Sequence, residues 1–259
     1  MKSKYNIDTV SRAVAVLRQI LEQGSVPLDA AAAHTAVSKS TAFRLLTTLQ
    51  NEGLVERASG GGYQLGPELI RWGLLVLGKL DVPSAAAHEL RELWLATKET
   101  VGLGLVSGAS VVLAEILESP SPFRMAEVTG TVVPMHSSAL GHAVGAHLPT
   151  AVLADQLGPE PYRAITPTSP LRFSEVQHAL ALAVRDGYAL DNEMSSLGVA
   201  CVAAPIFMRG KVAGAISVAG PRVRMSDERL GEIGRQVAQV ASRISSKLSL
   251  PLSSDSLPV

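Results

Sequence analysis

The chain has 259 residues, 47% of them hydrophobic and 18% charged, with 23 basic side chains balancing 23 acidic ones. The length suggests roughly two domains, and the composition excludes a disordered chain, which needs low hydrophobicity or strong net charge. The lone cysteine, Cys201, excludes an internal disulfide framework and any multi-cysteine zinc site, and ten aromatic residues are too few for a protein that stacks single-stranded bases.

The opening MKSKYNIDTVSRA has no apolar signal-peptide core. Residues 7–22 read as a helix capped by Asp8 or Thr9, with Val10, Val14, Leu17 and Leu21 at helical spacing and Gly24 as its stop. Pro27 and Leu28 open a second, short helix over 29–36. Ser38 caps a third from Lys39 to about Asn51, with Ala42, Leu45, Leu46 and Leu49 as its apolar face and Gly53 just beyond. Leu54-Val55-Glu56 and Tyr63-Gln64-Leu65 flank three glycines, a hairpin signal. Pro67 suits the first position of a helix over 67–80 that is short of charge. Asp81-Val82-Pro83 breaks it, and Ser84 caps a further helix to about Thr97. The expected division is therefore a first domain over 1–65, a connector over 66–83, and a second domain over 84–259.

Beyond residue 100 the pattern turns to strands. Residues 101–106 and 111–117 are β-rich around a Ser107–Ser110 turn, and 123–128 reads as a third strand. The longest uncharged run, 128–154, holds two prolines and three histidines and is no membrane span, which needs about 20 mostly apolar residues. Short helices are expected over 136–147 and 151–157. Ser174 caps another that Gly187 ends. Residues 188–193 form a strand, and 199–207 with 212–219 form a hairpin about Met208-Arg209-Gly210-Lys211. Ser226 caps the last helix, where Leu230, Ile233, Val237, Val240, Ile244 and Leu248 keep 3/4 spacing. The tail after Leu250 is expected to fray. A cytoplasmic protein fits this reading.

The helix over 38–49 can bury one face and present Ser38, Lys39, Ser40, Thr41, Phe43, Arg44, Thr47 and Thr48 on the other, as a helix in the major groove of DNA must. Its start suits a phosphate, and Lys39 and Arg44 can neutralise phosphates or read guanine edges. Arg57 and Ser59 of the hairpin would meet the flanking backbone or minor groove. Residues 1–65 carry seven basic and five acidic side chains, a small excess that permits this without showing it. The competing reading is an amphipathic bundle with a solvated basic face.

The second half has no G-x-S-x-G, H-E-x-x-H, P-loop or G-x-G-x-x-G motif and none for a cofactor. It has polar punctuation in apolar segments instead: Asp191, Cys201, Ser217, and the small loop Ser138, Ala139, Leu140, Gly141 entering a helix. Together these suggest a pocket for a small organic acid or a related apolar metabolite. Each has a plainer reading: an inert core thiol, a hydroxyl bonded to nearby backbone, and a carboxylate capping a turn. His136, His142 and His147 do not stack on one helical face, which argues against a metal site.

The segments SKSTAFRLLTTLQNEGLVER, YQLGPELIRWG, PMHSSALGHA, RDGYALDNEMSSLGVACVAAPIF and AISVAGP, in that order, resemble the isocitrate-lyase-regulator (IclR) family of bacterial transcription factors over about residues 8–248. The resemblance implies an α+β chain: an N-terminal winged helix-turn-helix, a connector helix, and a C-terminal GAF-like α/β effector-binding domain with an antiparallel sheet. It implies dimers or tetramers on palindromic operators. It places effector contacts at Met125, in the Ala139-Leu140 loop, and at Asp191, Val199, Cys201 and Ser217, with Pro122 nearby. Three positions depart from the family pattern: Ala36 where many members have Gly in the helix-turn-helix joint, His142 for Lys, and Ala219 for a second Ser. The expected function is a DNA-binding regulator controlled by a small organic or aromatic acid. The rivals are a Cys- or Ser-dependent hydrolase, which needs a base beside Cys201 or Ser217, and an adaptor that uses the winged helix to dimerise.

Overall fold

In the computed structural model, which describes residues 6–77 and 81–249, the chain divides into two units between residues 80 and 81. The first contains α1 (Asp8–Gln23), α2 (Leu28–His34), α3 (Lys39–Asn51), β1 (Val55–Arg57), β2 (Tyr63–Leu65) and α4 (Pro67–Leu77). Its core is Val16, Ile20, Val26, Ala31, Leu45, Leu46, Leu49, Val55 and Tyr63. β1 and β2 pair antiparallel, Val55 opposite Leu65 and Arg57 opposite Tyr63, and Val26 joins them through mutual 2.9 Å bonds with Tyr63.

Two expectations for α1 change. Ile7, not Asp8 or Thr9, occupies the cap position, and no side chain closes it. The stripe Val10, Val14 and Leu21 lies outward, with Val10 58% and Leu21 70% exposed, while Val16 and Ile20 enter the core and Leu17 is half-buried. α1 is apolar on two sides, and periodicity does not say which side meets the core.

The joint between α2 and α3 holds Ala36 at φ 52°, so the departure from glycine leaves the left-handed turn in place and puts its steric cost on an alanine. Gly66 sits where the wing hands over to α4: a Cβ there would stand 2.2 Å from the Gly53 carbonyl oxygen. Only glycine lets the two backbones approach, and the Gly66 and Glu68 N–H groups donate to Leu54 and Gly53.

The second unit contains α5 (Asp81–Thr97), β3 (Thr100–Ser107), β4 (Ser110–Leu117), α6 (Ala139–Gly145), α7 (Thr150–Leu157), α8 (Phe173–Asp186), β5 (Ala189–Asn192), β6 (Val199–Met208), β7 (Lys211–Pro221) and α9 (Asp227–Ser249). The strands form one antiparallel sheet in the order β4-β3-β7-β6-β5. α5 and α9 cover one face, and α6 and α8 the other. Ser226 caps α9, its hydroxyl accepting from the Arg229 N–H, and Leu230, Ile233, Val237, Val240 and Ile244 are buried along it. Arg209 and Gly210, both at positive φ, make the tight β6–β7 turn.

Several boundaries differ from expectation. α5 begins at Asp81, so Asp81-Val82-Pro83 opens that helix and Ser84 is not its cap. Pro83 lies in the first turn, where an N–H has no intrahelical acceptor to lose. Ser174 lies inside α8. Arg172 is the cap position, and the Glu175 carboxylate accepts from the Leu171 and Arg172 N–H groups at 2.6 and 3.1 Å. α6 begins at Ala139 rather than near His136. Residues 123–128 form no strand. The pairing onto β4 comes later, through Gly130, Thr131 and Val133, which bond Leu113 and Val111. The last residues of the helix expected over 67–80, and the tail after Leu250, lie outside the described residues.

Candidate functional site

α3 is built as a presenting helix. Ser38 Oγ accepts from the Thr41 N–H at 3.2 Å and fixes its start, and Ala42, Leu45, Leu46 and Leu49 anchor it to the core. Ser38, Lys39, Ser40, Thr41, Phe43, Arg44 and Thr48 are exposed, and Thr47 is half-buried. Some of these groups already have partners. Ser38 Oγ lies 2.9 Å from both the Ser40 and the Thr41 hydroxyls. Lys39 Nζ pairs with Asp29 at 2.8 Å, an exposed ion pair worth about 0–1 kcal/mol, which a phosphate can displace. Arg44 has no ion-pair partner among the described residues and is the free cation of the face. Arg57 is exposed on the wing, its guanidinium stacked 4.0 Å from the Tyr63 ring centroid.

In the second unit the register assembles a site. Side chains alternate along each strand. Asp191 pairs with Cys201 and Cys201 with Ala219, giving one cross-strand row. Ala203, Ser217 and Gly102 form a second row. These rows lie on the sheet face that packs against α6. A cavity of about 280 Å³ opens there, lined by residues that include Leu113, Met125, Glu127, Ser138, Ala139, Leu140, Asp191, Val199, Cys201 and Ala219. Seven of the nine expected effector residues therefore border one space. Two do not. Ser217 sits one row in, 1% exposed, and Gly141 faces the backbone of Pro134 and Met135, where a Cβ would come within 2.7 Å of Met135 Cα. The Gly141 N–H is also taken, donating to Ser138 Oγ at 3.0 Å, while Ser138 donates to the Pro134 carbonyl. Pro122 is likewise outside the lining.

Asp191 is a structural acceptor as well as a wall. It is 1% exposed and accepts from the Met194 N–H at 2.7 Å, from the Ser195 N–H, and from the Ser195 hydroxyl. Burial raises its carboxyl to about 6 even though those donors pull the other way. Burial, followed by the nearby Glu127 and Asp191, pushes the Cys201 thiol well above its ordinary range, which makes it a poor nucleophile. Ser217 Oγ is near enough to oppose that rise slightly, yet among the described residues it has no hydrogen-bond partner of ordinary geometry. Among the described residues, no histidine lines the cavity.

The sequence pattern did not single out Glu127. Its segment is held to the rim by long-range side-chain bonds: Thr100 Oγ1 donates to the Met125 carbonyl at 3.1 Å and Arg224 to the Phe123 carbonyl at 2.8 Å. Arg224 is itself fixed by the buried Glu99 carboxylate at 2.6 Å. The one signal in the sequence is that Glu127 is the last charge before the longest uncharged run. The three histidines go to separate partners. His142 Nε2 bonds the His136 carbonyl at 2.8 Å, His136 Nε2 bonds the Arg163 carbonyl at 3.0 Å, and His147 stands edge-on to Phe207. Among the described residues no group of three ligating side chains converges, and no helix is long and apolar enough to cross a membrane.

Comparison with known proteins adds independent findings. Residues 9–59 match the IclR helix-turn-helix domain, and residues 74–246 match the family described as bacterial transcriptional regulator IclR C-terminal. The HTH-type transcriptional regulator BhcR of Paracoccus denitrificans is 32% identical over 244 residues, covering 92% of this chain and 86% of its own. The solved IclR of Thermotoga maritima superposes with a TM-score of 0.75 at 27% identity, covering 95% of this chain and all of its own. An IclR homolog from Microbacterium hydrocarbonoxydans, solved complexed with 4-hydroxybenzoate, has the same fold: TM-score 0.79, 22% identity, 93% and 98% coverage.

Proposed function

The chain belongs to the IclR family of bacterial transcriptional regulators, and from that premise we propose that it binds a palindromic operator through α3 and is controlled by a small effector held in the 280 Å³ cavity. The family is one of regulators rather than enzymes, and burial with the nearby Glu127 and Asp191 leaves Cys201 a poor nucleophile for a hydrolase. The observation that carries the reading is the outward face of α3. A cap, four anchoring apolar residues and a neighbouring hairpin leave Arg44 free at the surface. Lys39 and Arg57 support it as phosphate-facing cations.

A palindrome needs two copies. α4 exposes Ile70, Trp72, Leu74, Leu75 and Val76, an apolar surface that suits a homodimer, the unit that would pair two winged helices over two half-sites. An effector then acts by linkage: it shifts the DNA-competent population by no more than its difference in affinity for the two states. The expectation of an organic acid meets a lining that, among the described residues, has no Lys, Arg or His, which favours an effector that is small and mostly apolar.

The test is Arg44→Ala measured against operator and random duplex DNA. A bidentate base contact predicts a loss of about 1–3 kcal/mol, roughly 5- to 150-fold, on operator DNA alone. A phosphate contact predicts a similar loss on all sequences and a salt slope smaller by about one. Unchanged affinity in a folded variant would remove α3 from the interface.

A further inference from the structure

The cavity assigned to the effector carries a group that the fold does not use, and the ligand class inferred from that group rests on the effector assignment. Of the two carboxyls in the cavity, Asp191 is fully engaged by the 194–195 loop. Glu127 is not. Its Oε2 is buried without a hydrogen-bond donor, and no cation pairs with it among the described residues. Burial pushes this carboxyl above its usual range, the mark of a charge taken from water without compensation. A second orphan lies beside it. Ser217 Oγ, 1% exposed and without an ordinary partner among the described residues, lies close by but outside the cavity lining: a Cβ on Gly102 would stand 3.0 Å from Ser217 Oγ and 3.5 Å from Glu127 Oε2. Leu113 Cδ2 would stand 3.3 Å from the same Cβ, so this spot is packed, and of the two oxygens it is the Glu127 carboxyl that belongs to the cavity wall. Most of the remaining wall is apolar, led by Leu113, Val133 and Leu140.

We propose that the cavity takes a small, mostly apolar ligand carrying a protonated amine, with Glu127 as its counter-ion. An ammonium brings several N–H donors and a positive charge to a carboxyl oxygen that lacks both. A carboxylate ligand would instead add a negative charge beside two carboxyls, with no cation on the wall among the described residues to receive it. The ligand's apolar body covers Leu113, Val133 and Leu140, and excluding water strengthens the ion pair at its head.

Calorimetry on the full chain with three probes of one shape, benzylamine, benzyl alcohol and benzoate, tests this. Benzylamine should bind tightest, about tenfold or more over benzyl alcohol, the difference expected of a charge-assisted hydrogen bond. Glu127→Gln, nearly isosteric, should abolish that preference. Ala219→Leu, which fills the cavity, should remove all binding. Benzoate binding tightest, equal binding of amine and alcohol, amine binding that survives Glu127→Gln, or no binding by any probe overturns the amine assignment. Loss of whatever binds in Ala219→Leu still keeps the cavity as the ligand site. Only binding that persists in a folded Ala219→Leu variant moves the site itself elsewhere.

Discussion

Leu46→Ala should cost the DNA-binding unit about 2–5 kcal/mol, the range for truncating a fully buried leucine whose surroundings cannot close the gap. Leu46 is completely buried among Ile20, Val26, Leu45 and Tyr63, on the inner face of the helix whose outer face presents Arg44. A unit of this size holds roughly 3–10 kcal/mol in total, so the variant should be largely unfolded there, and operator binding should collapse. The sheet of the second unit has its own core and should be unaffected. Peptide-resolved hydrogen exchange separates the two: protection should vanish from α1–α3 and persist in β6 and β7. Full operator affinity with native protection in α3 would show that Leu46 does not hold that helix.

The second large effect is a pH dependence centred on Asp191. Its folded carboxyl titrates at about 6, against 3.8 without the fold. The folded state therefore binds the proton more tightly, and stability must fall as pH rises across that window. The contribution is fully present below pH ~4 and lost above about 6, a span worth about 3 kcal/mol at 1.36 kcal/mol per unit. Asp191→Asn removes the titrating group while keeping one acceptor for the 194–195 loop. Sheet stability, read by hydrogen exchange at matched pH, should favour the parent relative to the variant at pH 4 and lose that advantage by pH 7. Parallel profiles for the two proteins would contradict a buried, proton-holding Asp191.

These two residues mark how far local pattern carries. The α3 face was legible because everything that defines it is local: Ser38 as cap, apolar residues at 42, 45, 46 and 49, and the glycines of the hairpin. α1 was misread because it has two apolar stripes, and only tertiary packing chooses Val16 and Ile20 over Val10 and Leu21. Pro83 looked like a breaker because proline is tolerated in a first turn and forbidden a turn later, and the sequence does not announce which applies. The segment 123–128 has strand-like residues, but the side chains of Thr100 and Arg224 hold it instead of a ladder.

The site divides in the same way. Asp191, Cys201 and the α6 loop stood out as polar or small groups in apolar runs, and the β5–β6–β7 register is what brings them together. Register also decides which β7 residue reaches the wall. Ala219 lies beside Cys201, and Ser217 falls one row away beside Gly102. Glu127 was invisible because its place at the rim depends on partners about 30 residues earlier and about 100 later in the chain.

Sequence-specific DNA recognition through α3 can be measured by selecting bound duplexes from a random library with the full-length protein, and repeating the selection with Arg44→Ala. The expected product is a two-fold symmetric motif whose half-sites are separated by about 10 base pairs or a multiple of that, bound with a steep salt dependence. Arg44→Ala should weaken or erase the preference at one position in each half-site. Recovery of no common sequence by the folded parent protein at moderate salt would contradict recognition by this helix.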